Sequence, residues 1–101
     1  VSAASIAERV NAGAAWLDQH QPGWVDRIDL DRLNLEATCH CILGQLHGDY
    51  YEALDDLGRR VPGQWTAEGL GFNASTRSAD EEYDELTAAW RQLIEQRRAE
   101  S

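Results

Sequence analysis

The residues with the most chemical potential lie close together in the middle of the chain. They are Cys39-His40-Cys41, with His47 six residues beyond the second cysteine and His20 further upstream. Thiolates and imidazoles are the ligands zinc prefers, four at a time in a tetrahedron. On a continuous helix, however, residues two apart point about 200° away from each other. Cys39 and Cys41 would then close on one ion only where the backbone is irregular, and they are poorly aimed for a mutual disulfide. The helical pattern instead predicts Cys39 as a small core residue, with Cys41 on the other side of the helix. Cys41, His40 or His47 and an aspartate contain the parts of a nucleophilic site. Their spacing marks none, because such triads assemble in space rather than in sequence. The expectation is a non-enzymatic chain with no catalytic residue, no metal and no cofactor. A small zinc protein using the Cys39-His40-Cys41 region with His47 stands as an alternative.

The carboxylates offer a second kind of chemistry. Asp26, Asp29 and Asp31 cluster, but a calcium loop counted from Asp29 puts Leu33 fifth, Asn34 sixth and His40 twelfth. Oxygen ligands, a glycine and a glutamate are needed there. Local capping, with Arg27 or Arg32 as counter-ions, is the expected role. Gly69-Leu70-Gly71 lacks both the third glycine and the preceding strand of a dinucleotide fingerprint. It is expected to turn the backbone before Phe72. The run Asp80, Glu81, Glu82, Asp84, Glu85 suits a helix start, and Arg91, Arg97 and Arg98 suit its end. Asp55 and Asp56 fit less well, since they fall near a helix C-terminus, where negative charge is unfavourable. Either Arg59 and Arg60 answer them or they face a basic partner. Together with the aromatic residues Trp24, Tyr51 and Trp65, they are the candidate partner-binding residues, because tyrosine and tryptophan concentrate binding energy at interfaces. Core anchoring is the competing role of each aromatic.

Helices must position these groups. Ser5 and Glu8 form a capping-box pattern, followed by Ile6, Val10, Gly13 or Ala14, and Leu17 at helical spacing. The small residues 12–15 let another element approach closely. Pro22 closes this helix near His20, and Pro22-Gly23-Trp24 reads as a turn. Residues 28–35 fit a short extended piece or an irregular helical turn equally well. From Thr38, the residues Cys39, Leu43, Leu46, Tyr50, Ala53 and Leu57 hold one helical face. A break near His47–Asp49 is expected to divide it in two, with Asp49 as the second cap and Gly58 as the stop; one kinked helix is the alternative. Residues 59–78 form a long Gly/Pro loop with Trp65, Leu70 and Phe72 as anchors and a helical turn near Thr66–Leu70. Ser78 and Glu81 begin a last helix whose buried stripe is Tyr83, Leu86, Trp90, Leu93 and Ile94. The fold class is all-α. It is read as a single-domain helical bundle over residues 1–101, with three main helices, short helical turns and the long loop.

Composition narrows the function classes. The 101 residues carry a formal charge of −9, and all nine basic residues are arginine. A nucleic-acid binder needs a basic face, so direct nucleic-acid binding is not expected. No apolar run approaches the roughly 18 residues that span a membrane. No secretory signal pattern opens the chain, and two closely spaced cysteines suit a reducing compartment, so a cytoplasmic location is expected.

The segments Ala14-Ala15-Trp16-Leu17-Asp18, Pro22-Gly23-Trp24, Arg27-Ile28-Asp29-Leu30-Asp31, Cys41-Ile42-Leu43-Gly44-Gln45 and Gly48-Asp49-Tyr50 share one resemblance. They look like a group of small uncharacterised proteins of actinobacteriophages and actinobacteria, over residues 14–57 with an echo in Leu70-Gly71-Phe72. The resemblance implies a phage or prophage product acting in a bacterial host. It brings no catalytic or metal residue. The resulting expectation is a protein–protein interaction module that binds a host protein, or itself as a homodimer. An acidic nucleic-acid mimic that inhibits a host DNA- or RNA-binding protein is the other alternative.

Overall fold

The computed structural model describes residues 5–37, 39–60, 66, 69–73 and 79–100. Among them the chain forms five helices and no strand: α1 (Ile6–His20), α2 (Trp24–Arg27), α3 (Ile42–His47), α4 (Tyr50–Arg60) and α5 (Ala79–Glu100). The all-α class holds, with α1, α4 and α5 as the main helices. α1 packs along α5, α3 packs on α4, and α2 touches both α5 and α3. The Cα radius of gyration, 12.7 Å, matches the roughly 13 Å of a compact 100-residue domain.

Local chemistry starts and stops the helices. Glu8 N–H donates to Ser5 Oγ at 3.1 Å and Ser5 N–H donates to Glu8 Oε2 at 3.2 Å, completing the capping box. α1 ends at His20 before the proline, and Gly23 takes φ +84° to turn the chain. The turn leads directly into the short α2. Residues 28–41 then run as turns rather than as a strand. Asp29 and Asn34 each bond the amide two residues ahead, which favours turns over helix or sheet. The break between α3 and α4 falls where expected. Gly48 takes φ +95°, and Asp49 Oδ1 accepts from Tyr51 N–H at 2.8 Å.

Trp90 lies at the centre of the core with no exposed surface. Its ring stacks on Phe72 with centroids 5.6 Å apart and meets Trp24 edge-on at 5.7 Å. Its Nε1–H donates to the Gly71 carbonyl at 2.7 Å. Gly71, at φ +74°, sits so close to α1 that a Cβ would lie 3.1 Å from Arg9 and Val10 backbone atoms. Leu70 and Phe72 therefore anchor the loop as expected. The Leu70 amide also bonds the Thr66 carbonyl at 3.2 Å, the spacing of one helical turn.

Several expectations are corrected. Cys39 is exposed in a turn and Cys41 is buried, the reverse of the helical-face reading. The reason is that α3 begins only at Ile42, so Cys41 is its N-cap and Cys39 lies outside the helix. Gly58 does not stop α4, which continues to Arg60. The buried stripe of α5 is Glu82, Leu86, Trp90 and Ile94, with Tyr83 and Leu93 only partly covered. Glu82 is thus not part of a solvated acidic run. It pairs with Arg9 at 2.9 Å, and the two side chains are only 8% and 9% exposed. Thr38, Trp65 and the Ser78 cap lie outside the described residues.

A methyl group at Gly13 would overlap the Leu70 carbonyl oxygen and lie 3.0 Å from the Trp90 ring, whereas one at Gly58 would meet nothing within 4 Å. Gly13→Ala should cost about 1–3 kcal/mol through overpacking. Gly58→Ala should gain up to about 1 kcal/mol from helix propensity. Urea unfolding of the two variants checks the opposite signs. Arg9→Met should lose about 3–5 kcal/mol by stranding a buried carboxylate, and the double variant Arg9→Met/Glu82→Leu should recover most of that loss.

Candidate functional site

The first turn of α4 carries two adjacent tyrosines. Successive helical residues are about 100° apart, so the cap at Asp49 sends one ring inward and the other outward. Tyr50 is buried, while Tyr51 is 68% exposed and is the exposed large hydrophobic residue among the described positions. The two rings meet nearly perpendicular, at 79°, with centroids 5.4 Å apart.

Beside them is a cavity of about 170 Å³. Further walls come from Phe72 and Asn73 in the loop and from Tyr83 in the first turns of α5. Those walls are held firmly. Tyr83 Oη–H donates to Asn73 Oδ1 at 2.5 Å, and Arg9 Nη2 donates to the Asn73 carbonyl at 2.7 Å. The buried Arg9–Glu82 pair thus fixes both the loop and the start of α5. Leu35 and Glu36 line the remaining side, with Cys41 deeper. Thr87 Oγ1 accepts from Leu35 N–H at 3.0 Å, and Asn34 Oδ1 accepts from Glu36 N–H at 3.0 Å.

The Cys41 thiol is not poised for nucleophilic chemistry. Its sulfur accepts from Gly44 N–H at 3.2 Å. Burial pushes its pKa up, outweighing the backbone hydrogen bonds that pull it down. A raised thiol pKa lowers the thiolate fraction near neutrality, and the thiolate is the reactive form. Cys39 lies at the surface beside His40, over a shallow depression that also includes Arg32 and Gln45. His47 is turned elsewhere. Its Nε2 lies 3.2 Å from Gln21 Nε2, and its Nδ1 lies 3.8 Å from Asp56. Among the described residues, no group of three or more His, Cys, Asp or Glu side chains is placed to hold a metal ion. The zinc alternative therefore gains no ligand set there.

The proposed contact residues divide. Trp24 is only 1% exposed and its Nε1–H donates to Asp18 at 2.9 Å, so it is corrected to a core anchor. It is buried because α2 presses it edge-on against Trp90. Tyr51 and Asp55 are exposed four residues apart on α4, a spacing that puts them on one face. Asp55 is answered by Arg59 at 3.0 Å. Asp56 is half-buried and faces His47. Trp65 lies outside the described residues. The residues missed by sequence reasoning are Tyr83, Asn73 and Glu36. The adjacent Tyr50-Tyr51 pair at a predicted helix start was the available signal for an aromatic surface at this place.

The exposure difference between the thiols is directly measurable. In the native protein, Ellman's reagent should titrate one thiol per chain rapidly, and Cys39→Ser should remove that phase. The second thiol should react only after unfolding. Among the described residues, no helix is long and apolar enough to cross a membrane. No protein-family model, curated protein or solved structure matches the chain.

Proposed function

We propose that the protein is a non-enzymatic interaction module, encoded by an actinobacteriophage or prophage, that binds a host protein in the host cytoplasm. The contact surface is the outer face of α4, centred on Tyr51 and including Asp55. The observation that carries this reading is the exposure of Tyr51. A large aromatic ring held in water by a capped first turn forgoes the burial that stabilises the core aromatics, and tyrosine is a preferred interface anchor. The phage origin rests on the resemblance described above and on the exclusive use of arginine. A second copy of the chain is the other partner consistent with the same surface.

The test compares tagged wild type with Tyr51→Ala in affinity purification from an actinobacterial lysate at low and moderate salt. One host protein should be retained by wild type at both salts. Loss of an anchor worth about 2 kcal/mol corresponds to about 30-fold weaker binding in the variant. Retention that is indifferent to Tyr51 would contradict the assigned surface. Capture of nucleic-acid enzymes that are released as salt rises would favour the acidic-mimic alternative, since long-range charge attraction is screened.

A further inference from the structure

The cavity beside Tyr51 has a composition that selects its occupant. Three tyrosines and Phe72 line it, and Glu36 is the carboxylate among its lining residues; among the described residues, no arginine lines it. At about 170 Å³, it falls below the roughly 300–1,000 Å³ of sites for drug-sized molecules. It suits a single side chain or a group of that size.

We propose that this cavity receives an arginine side chain of the partner protein, its guanidinium held against the tyrosine rings and paired with Glu36. The proposal rests on the interaction-module reading and names the chemistry of the partner at that surface.

Three observations support it. Aromatic rings attract a cation placed within about 6 Å of the ring centroid. A group filling so small a space between these rings lies within that reach. A guanidinium is planar and weakly hydrated, so it stacks on aromatic faces better than an ammonium does and can pair with a carboxylate through two N–H donors. Tyr50 and Tyr51, packed edge to face, both line the cavity, so two aromatic rings border the space that a planar cation would enter. Charge complementarity is the third support. The chain carries −9 overall, and Glu52 and Asp55 lie exposed on the same helix as Tyr51. An anion is disfavoured by all of these carboxylates. Burial raises the Cys41 pKa and so disfavours a competing thiolate charge there.

The walls are also in place before any partner arrives. Tyr83 is bonded to Asn73, Asn73 to Arg9, and Arg9 to Glu82. Tyr83 donates its proton to Asn73, which leaves its oxygen lone pairs as acceptors for a donor-only guanidinium. Little ordering cost remains for the protein on binding.

The experiment is an amide NMR titration of the full chain with the peptide acetyl-Gly-Arg-Gly-amide. The matched peptide with citrulline in place of arginine, isosteric and uncharged, is the control. The arginine peptide should shift the backbone amides of Tyr51, Asn73 and Glu36. The citrulline peptide should bind at least about fivefold more weakly, as expected for loss of a cation–π contact and an ion pair. Tyr51→Phe should stay within about twofold of wild type, because the ring rather than the hydroxyl carries the attraction. Tyr51→Ala should weaken binding about three- to fivefold and Glu36→Gln about threefold. Both positions are exposed, so these variants test the site rather than the fold. Equal binding of the two peptides would overturn the proposal. So would shifts spread over Glu81, Asp84 and Glu85 that ignore Tyr51→Ala, or no shift at tens of millimolar peptide. A partner captured through Tyr51 in a chain that ignores the arginine peptide would remove this inference and leave the interaction module standing.

Discussion

The indole of Trp90 joins separate parts of the chain. Its faces and edges meet Phe72 and Trp24, its N–H holds the Gly71 carbonyl, and its six-membered ring closes on the backbone at Gly13. These contacts tie α1, α2, the Gly71-Phe72 segment and α5 into one core. The constraint is steric as well as apolar. Only a residue without a side chain fits at Gly13, and Gly71 must adopt a left-handed conformation against α1. Because Phe72 is fixed by stacking on Trp90, the next residue, Asn73, is carried to the place where Tyr83 and Arg9 bind it. The tyrosine cavity is built outward from that point.

Charge follows a complementary plan. Each of the seven arginines whose side chains are described makes a bond within the chain. Arg27, Arg91 and Arg98 donate to main-chain carbonyls of Leu46, Leu30, and Val25 and Ile28. Arg9, Arg32, Arg59 and Arg97 face Glu82, Asp29, Asp55 and Asp18. The carbonyls at Leu46 and Val25 belong to short helices whose last turns need donors. Arginine serves there as a cap from a distant part of the chain. With these cations engaged internally, a surplus of carboxylate remains at the surface, and a basic partner is the natural complement to it.

Much of the fold was legible because local rules decided it. The Ser5 and Asp49 caps, the stop before Pro22 and the division at Gly48 depend on neighbouring residues, and each appears as read. Residues whose fate depends on distant partners were not legible. Glu82 looked like one more carboxylate at a helix start, since its partner Arg9 lies 73 positions earlier in the sequence. Cys39 and Cys41 exchanged environments because a turn closed by Asn34 and Ala37 delayed the helix to Ile42. Trp24 and Tyr51 are both aromatic residues near a turn. Nothing local distinguishes the one that meets Trp90 from the one that meets water. The site was legible only as Tyr51 on α4, because Asn73, Tyr83 and Glu36 reach it from elements far away in sequence.

If the protein acts through a preformed surface around Tyr51, site-specific photo-crosslinking in actinobacterial cells will register it at that residue. A benzoylphenylalanine placed at position 51 should crosslink one discrete protein. The same probe at Gln92, on the exposed surface of α5 beside α1, should not. Crosslinking of that protein from position 92 but not from position 51 would refute a contact surface at Tyr51 and move the interface to the groove between α1 and α5.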